Sequence, residues 1–105
     1  MTFALMTVLL YNTSDKPKVA VEPSHLLNVG LGEQLTVRCR VLKSNPEVIL
    51  GYEWSVLGEN DVIGRETNFT IERISVNDNK TLQCRARNSV GTSEPASVRI
   101  NILCK

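Results

Sequence analysis

Three cysteines, one histidine and three short asparagine motifs are the residues whose types could do chemistry. Cys39, Cys84 and Cys104 stand far apart, none of them in a C-x-x-C pair, and His25 is the single imidazole. A structural zinc site takes about four nitrogen or sulfur ligands at short spacings, so no metal is expected, and no other cofactor. Three is an odd number, so at most one internal bridge forms and one thiol is left over. His25 follows Pro23 and Ser24 with no nucleophile in a matching motif, and reads as a loop or edge residue facing solvent. Glu53, Glu72 and Asp78 fall on separate, alternating segments. General acid–base catalysis needs two carboxyls held in one pocket, so catalytic residues are not expected and the chain is not read as an enzyme. The run "GLGE" at 30–33 precedes a strand-like segment rather than a helix, which excludes a phosphate-binding loop.

The asparagine motifs bear on compartment. Asn12, Asn68 and Asn79 each begin an N-x-S/T sequon, whereas Asn45 is followed by Pro46 and does not count. Three sequons exceed the accidental number and favour a glycosylated chain. A net charge of +1 removes the case for nucleic acid as a partner. No run of 18 apolar residues exists, so no membrane insertion is expected. At 105 residues, 42% apolar and 22% charged, the chain is long enough for one domain. It buries only enough surface to be marginal, so a covalent staple would matter.

The elements that must position these residues are strands. Residues 1–11, "MTFALMTVLLY", read either as a leader or as an apolar strand, and "YNTSDKPK" as a linker, so the domain is placed at 18–105. "KVAVEP" alternates and then meets Pro23, which suits an edge or a switch point. After a bend at Gly30 and Gly32, Leu35, Val37, Cys39 and Val41 share one face, with Gln34, Thr36, Arg38 and Arg40 on the other. "KSNPE" reads as a turn. "VILGYEWSV" reads as a strand with Tyr52, Trp54 and Val56 on one face. "NFTIERISV" points Phe69, Ile71 and Val76 inward, "TLQCRARN" does so with Leu82, Cys84 and Ala86, and "SVRINIL" with Val98, Ile100 and Ile102. No segment sustains a helical period, and strands recur every 8 to 12 residues, which means an all-β sandwich or barrel.

Cys39, Trp54 fifteen residues later and Cys84 now form a frame, and "CRARNSVG" matches C-x-A-x-N-x-x-G at Cys84, Ala86, Asn88 and Gly91. Over residues 18 to 103 the sequence resembles the immunoglobulin superfamily, in its I-set or C2-type form. The resemblance implies an antiparallel β-sandwich of seven or eight strands with Greek-key topology. It also implies a Cys39–Cys84 bridge between two sheets, packed on a buried Trp54. Only thirteen residues separate Trp54 from Asn68, room for one short strand, "DVIG", and too few for the two extra strands of a variable-type domain. One position departs from the pattern. A tyrosine usually stands two residues before the second cysteine, and Leu82 stands there; Leu82 can fill the core but supplies no hydroxyl.

By alternation Arg85 and Arg87 face outward on the sheet that holds Trp54, joined by Arg99 on the next strand, with Glu53 and Ser55 across from them. In the family this face often meets partners. Three arginines could bind an acidic protein surface or an acidic glycan. The plainer alternative is a solvated face of cross-strand Arg–Glu pairs, each worth under about 1 kcal/mol. Cys104 is the leftover thiol and a candidate for an intermolecular bridge. The resemblance implies an extracellular recognition or adhesion module within a larger cell-surface chain. Its partner would be another protein, whether a second copy or a sibling immunoglobulin domain. The alternative is an intracellular structural module of a titin-like filament protein. The sequons favour the first.

Overall fold

The computed structural model describes residues 14–24 and 26–103. Seven strands run in chain order: β1 (Asp15–Glu22), β2 (Leu27–Gly30), β3 (Leu35–Asn45), β4 (Gly51–Val56), β5 (Asn68–Ile71), β6 (Thr81–Arg87) and β7 (Ala96–Leu103). They form a three-stranded sheet ordered β1-β3-β5 and a four-stranded sheet ordered β2-β7-β6-β4. The all-β sandwich expected from the sequence is therefore present. Every pairing is antiparallel except β2 with β7, which runs parallel from Leu27 beside Ile100 to Gly30 beside Leu103.

That parallel pair follows from the switch at Pro23. Proline has no N–H to give a ladder. β1 pairs with β3 as far as Glu22, where a cis Glu22–Pro23 bond follows, and the chain then crosses to the other sheet as β2. It returns through a turn at Gly32, whose φ of +84° lies in the region that favours glycine. Two backbone bonds latch this turn to the far side of the sandwich: Gly32 N–H to the Ile74 carbonyl and Ile74 N–H to the Glu33 carbonyl, each 2.8 Å.

The core sits between the sheets where alternation puts it. Val37 and Cys39 from β3, Trp54 and Val56 from β4, Leu82 and Cys84 from β6, and Val98 and Ile100 from β7 are buried. Leu35, Tyr52, Phe69, Ile71 and Ile102 pack partly buried around them. Cys39 and Cys84 are bonded, with Sγ–Sγ 2.24 Å and Cα–Cα 6.0 Å. Trp54 is wholly buried; its indole N–H donates to the Glu66 carbonyl at 2.9 Å, and Phe69 lies 5.9 Å from it, centroid to centroid. That bond removes the cost of burying a polar N–H and leaves the ring free to contribute its full apolar area.

Several local expectations are corrected. β1 begins at Asp15, inside the stretch read as linker, and β3 runs on to Asn45 through the first three residues of "KSNPE", because Asp15 and Lys18 pair with Asn45 and Lys43. β4 begins only at Gly51; Val48 and Leu50 before it are exposed. "DVIG" is not a strand but a single bridge between Gly64 and Trp54. Val76 is 64% exposed, and Ile74, at 2%, takes the inward place. Parity fails there because β5 stops at Ile71 and the chain curls through a 3-10 turn at Val76–Asp78, which ends the period of two.

Candidate binding surface

The outward face of β4 and β6 carries the arginines, and the register decides which of them meet. Glu53 lies opposite Arg85 and Gly51 opposite Arg87, while Arg99 on β7 lies opposite Thr81. Thr81 is four residues from Arg85, about 13 Å along a strand. Arg85 and Arg87 therefore share one end of the face and Arg99 stands at the other. There the Arg99 guanidinium donates to Asn79 Oδ1 at 2.9 Å. The expected trio of Arg85, Arg87 and Arg99 is not a single cluster.

A different third arginine takes the vacant place. The connection from β4 to β5 doubles back beside β4, with Ile63 N–H donating to the Trp54 carbonyl and Trp54 N–H to the Gly64 carbonyl, both 2.8 Å. This sets Arg65 next to Glu53. A pocket of about 230 Å³ results, lined by Arg65, Arg85, Arg87 and Glu53 with Leu50 and Tyr52. Alternation along single strands could not find Arg65, since it lies on no strand. The only signal was "IGR", a glycine placed to bridge Trp54.

Gly51 forms part of the pocket wall. A β-carbon there would sit 3.2 Å from Arg87 Nη2, a tight contact that the exposed arginine would relieve by a small shift, so Gly51 leaves room for this guanidinium beside β4. Leu50 N–H donates to the Arg87 carbonyl at 2.7 Å and fixes the backbone beneath. Arg85 Nη1 donates to Ser55 Oγ at 3.3 Å. Two ion pairs within 4.0 Å occur among the described residues, Arg40–Glu22 and Lys80–Asp78, and neither reaches this face. Glu53 thus lies across from Arg85 without pairing with it. Three guanidiniums and one carboxylate leave the pocket with an excess of two positive charges and no ion pair among the described residues.

The remaining candidate residues fall elsewhere. Asn68 is exposed at the start of β5 on the other sheet, and Asn79 is exposed at the corner before β6. Asn12, His25 and Cys104 lie outside the described residues. A larger groove, about 740 Å³, runs beside the first residues of β1, where Lys16, Lys18 and Lys43 face Glu94 among Leu42, Val90 and Pro95. Among the described residues no group of three or more His, Cys, Asp or Glu side chains could hold a metal, and no helix is long and apolar enough to cross a membrane.

Comparison with known proteins agrees with this architecture. The immunoglobulin domain family model matches residues 16–88. The MAM domain-containing glycosylphosphatidylinositol anchor protein 1 of Gallus gallus is 30% identical over 102 residues, which is 95% of this chain and 10% of that protein. Among solved structures, the N-terminal four Ig domains of Dscam1 isoform 4.44 superpose with a TM-score of 0.72 at 21% identity, covering 86% of this chain and 21% of that one. Those of isoform 1.9 give 0.69 at 22% identity, covering 81% and 20%. The chain thus spans a tenth of that relative and about a fifth of each solved structure.

Proposed function

The chain belongs to the immunoglobulin domain family, and from that premise we propose that it is an extracellular recognition module of a larger cell-surface protein. In this reading it binds another protein through the outward face of β4 and β6. The observation that carries the reading is the arginine pocket: Arg65, Arg85 and Arg87 crowd together with no ion pair among the described residues to neutralise them. Solvated faces scatter or pair their charges, whereas interface centres gather arginine and aromatic residues. Here Tyr52 lines the pocket and Leu50, 52% exposed, stands at its edge.

The compartment rests on two further features. The Cys39–Cys84 bond belongs to an oxidising environment. Asn68 and Asn79, both exposed, begin sequons that only a secretory route would use. The similarity to a glycosylphosphatidylinositol-anchored protein supports the same placement. A titin-like intracellular module would need neither the bond nor the sequons.

The experiment is a binding assay with the chain tetramerised on a fluorescent carrier, applied to intact cells and to beads coated with the same chain. Arg85→Glu with Arg87→Glu is expected to abolish binding, and the bead arm reports whether the partner is a second copy. Binding unchanged by charge reversal would reject this face as the contact.

A further inference from the structure

We propose that the pocket of Arg65, Arg85 and Arg87 is a seat for a single carboxylate, presented as an acidic side chain by a protein partner. The proposal rests on the recognition reading above and gives it a ligand class. Arginine offers two N–H groups in a fixed plane, the geometry that grips a carboxylate in bidentate fashion. Arg85 is steadied by its bond to Ser55 Oγ, and Gly51 leaves room for the Arg87 guanidinium beside β4. Arg85 thus need not be collected from solution on binding, which lowers the ordering cost of the complex.

Size and charge layout select the source of the carboxylate. Sites that enclose a whole small molecule run to about 300–1,000 Å³. This pocket, at about 230 Å³, has room for one side chain. A sulfated or sialylated polymer would need cations strung along a track. Arg99, the next cation along the face, is about 13 Å off by strand geometry and already engaged with Asn79. Apolar Leu50, exposed beside the guanidiniums, suits the methylene stem of an acidic side chain. Glu53 works against the ligand. Half-buried and opposite Arg85, it repels an incoming carboxylate, so it sets how strongly an anion must be presented.

The test is a nuclear magnetic resonance titration of the 105-residue chain, disulfide intact, following backbone amides and arginine Nε–H signals. The probes are N-acetylglutamate N-methylamide and a heparin-derived tetrasaccharide. The glutamate probe is expected to shift Gly51, Arg65, Arg85 and Arg87 saturably and to leave Arg99 unmoved. Arg87→Gln should weaken it by about tenfold, the loss of one charge-assisted contact. Glu53→Gln should strengthen it. Unchanged Trp54 fluorescence confirms that each variant folds. No shift with the glutamate probe, or tighter binding of the tetrasaccharide with Arg99 shifting alongside the pocket, would overturn the assignment. Loss of cell binding in the charge-reversed pair, with no response to the glutamate probe, would leave the recognition module standing and remove the carboxylate seat alone.

Discussion

Asn88 Nδ2 donates to the Asp15 carbonyl oxygen at 2.7 Å and so ties the hairpin after β6 to the first residue of β1, 73 positions earlier. The same amide reaches Ser44 Oγ at 3.1 Å at the end of β3. Its oxygen accepts from the backbone N–H of Val90 at 2.8 Å and of Gly91 at 3.1 Å. Asn88 is 2% exposed and uses both ends of its amide. It clamps three chain segments at one end of the sandwich.

Asn88→Ala should therefore lower stability by about 1–3 kcal/mol, since four part-buried hydrogen bonds are lost together. Asn88→Asp should cost more, because a carboxylate oxygen would face the Asp15 carbonyl where an N–H now points. Urea unfolding followed by Trp54 fluorescence measures both. A loss under about 1 kcal/mol in either would mean that water replaces the amide freely and that the clamp is dispensable.

Gly64 carries a second prediction. A β-carbon there would lie 2.9 Å from Phe69 Cδ1 and 3.5 Å from Trp54 Cδ1. Phe69 is packed against the tryptophan ring and cannot swing clear cheaply. Gly64→Ala should cost about 1–3 kcal/mol by overpacking. It should also move Arg65, so the loss of stability should come with weaker anion binding. Wild-type stability in Gly64→Ala would show that the connection gives way without strain.

Residues on long alternating strands were legible in the sequence. Val37, Cys39, Trp54, Leu82, Cys84, Val98 and Ile100 all lie inside because a period of two leaves no other face once the cysteines define it. What alternation could not reach was anything set by pairing or by an irregular connection. Arg99 had the right parity, yet the β6–β7 register puts it opposite Thr81 and away from Arg85. Arg65 had no parity at all, and enters the site because Gly64 bridges Trp54. Ile74 replaced Val76 inside because two backbone bonds to the Gly32 turn fix it. Register and loop latches depend on partners distant in sequence, which one strand read alone does not contain.

Breaking the Cys39–Cys84 bond should cost about 4 kcal/mol on the chain-entropy model, given the 45-residue separation it closes. A domain of this size has about 5–10 kcal/mol in total. Cys39→Ala with Cys84→Ala should thus remove about two-fifths or more of the total, seen as a large fall in melting temperature by circular dichroism. A fall of only a few degrees would mean that packing around Trp54 suffices without the staple.

The corner before β6 gives the last test. Leu82, where the family carries a tyrosine, is wholly buried, with Val56 and Val98 as its strand neighbours on either side. Asp78 caps the 3-10 turn at this corner. Its Oδ2 accepts from Ser75 N–H at 2.8 Å and lies 3.3 Å from Ser75 Oγ, while Oδ1 sits 3.7 Å from Lys80 Nζ. Asp78→Ala should cost about 1–2 kcal/mol, the value of a lost cap, whereas Leu82→Ala should cost about 2–5 kcal/mol as a core cavity. Asn79 stands exposed beside this carboxylate, with its Oδ1 held by Arg99, which leaves Nδ2 as the atom a sugar would take. Peptide mapping of protein secreted by a glycosylating host should find glycans at Asn79 and Asn68. In Asp78→Ala, Asn79 should stay modified, because its sequon with Thr81 is intact. An unmodified Asn79 in the wild-type protein would remove the glycan from this corner.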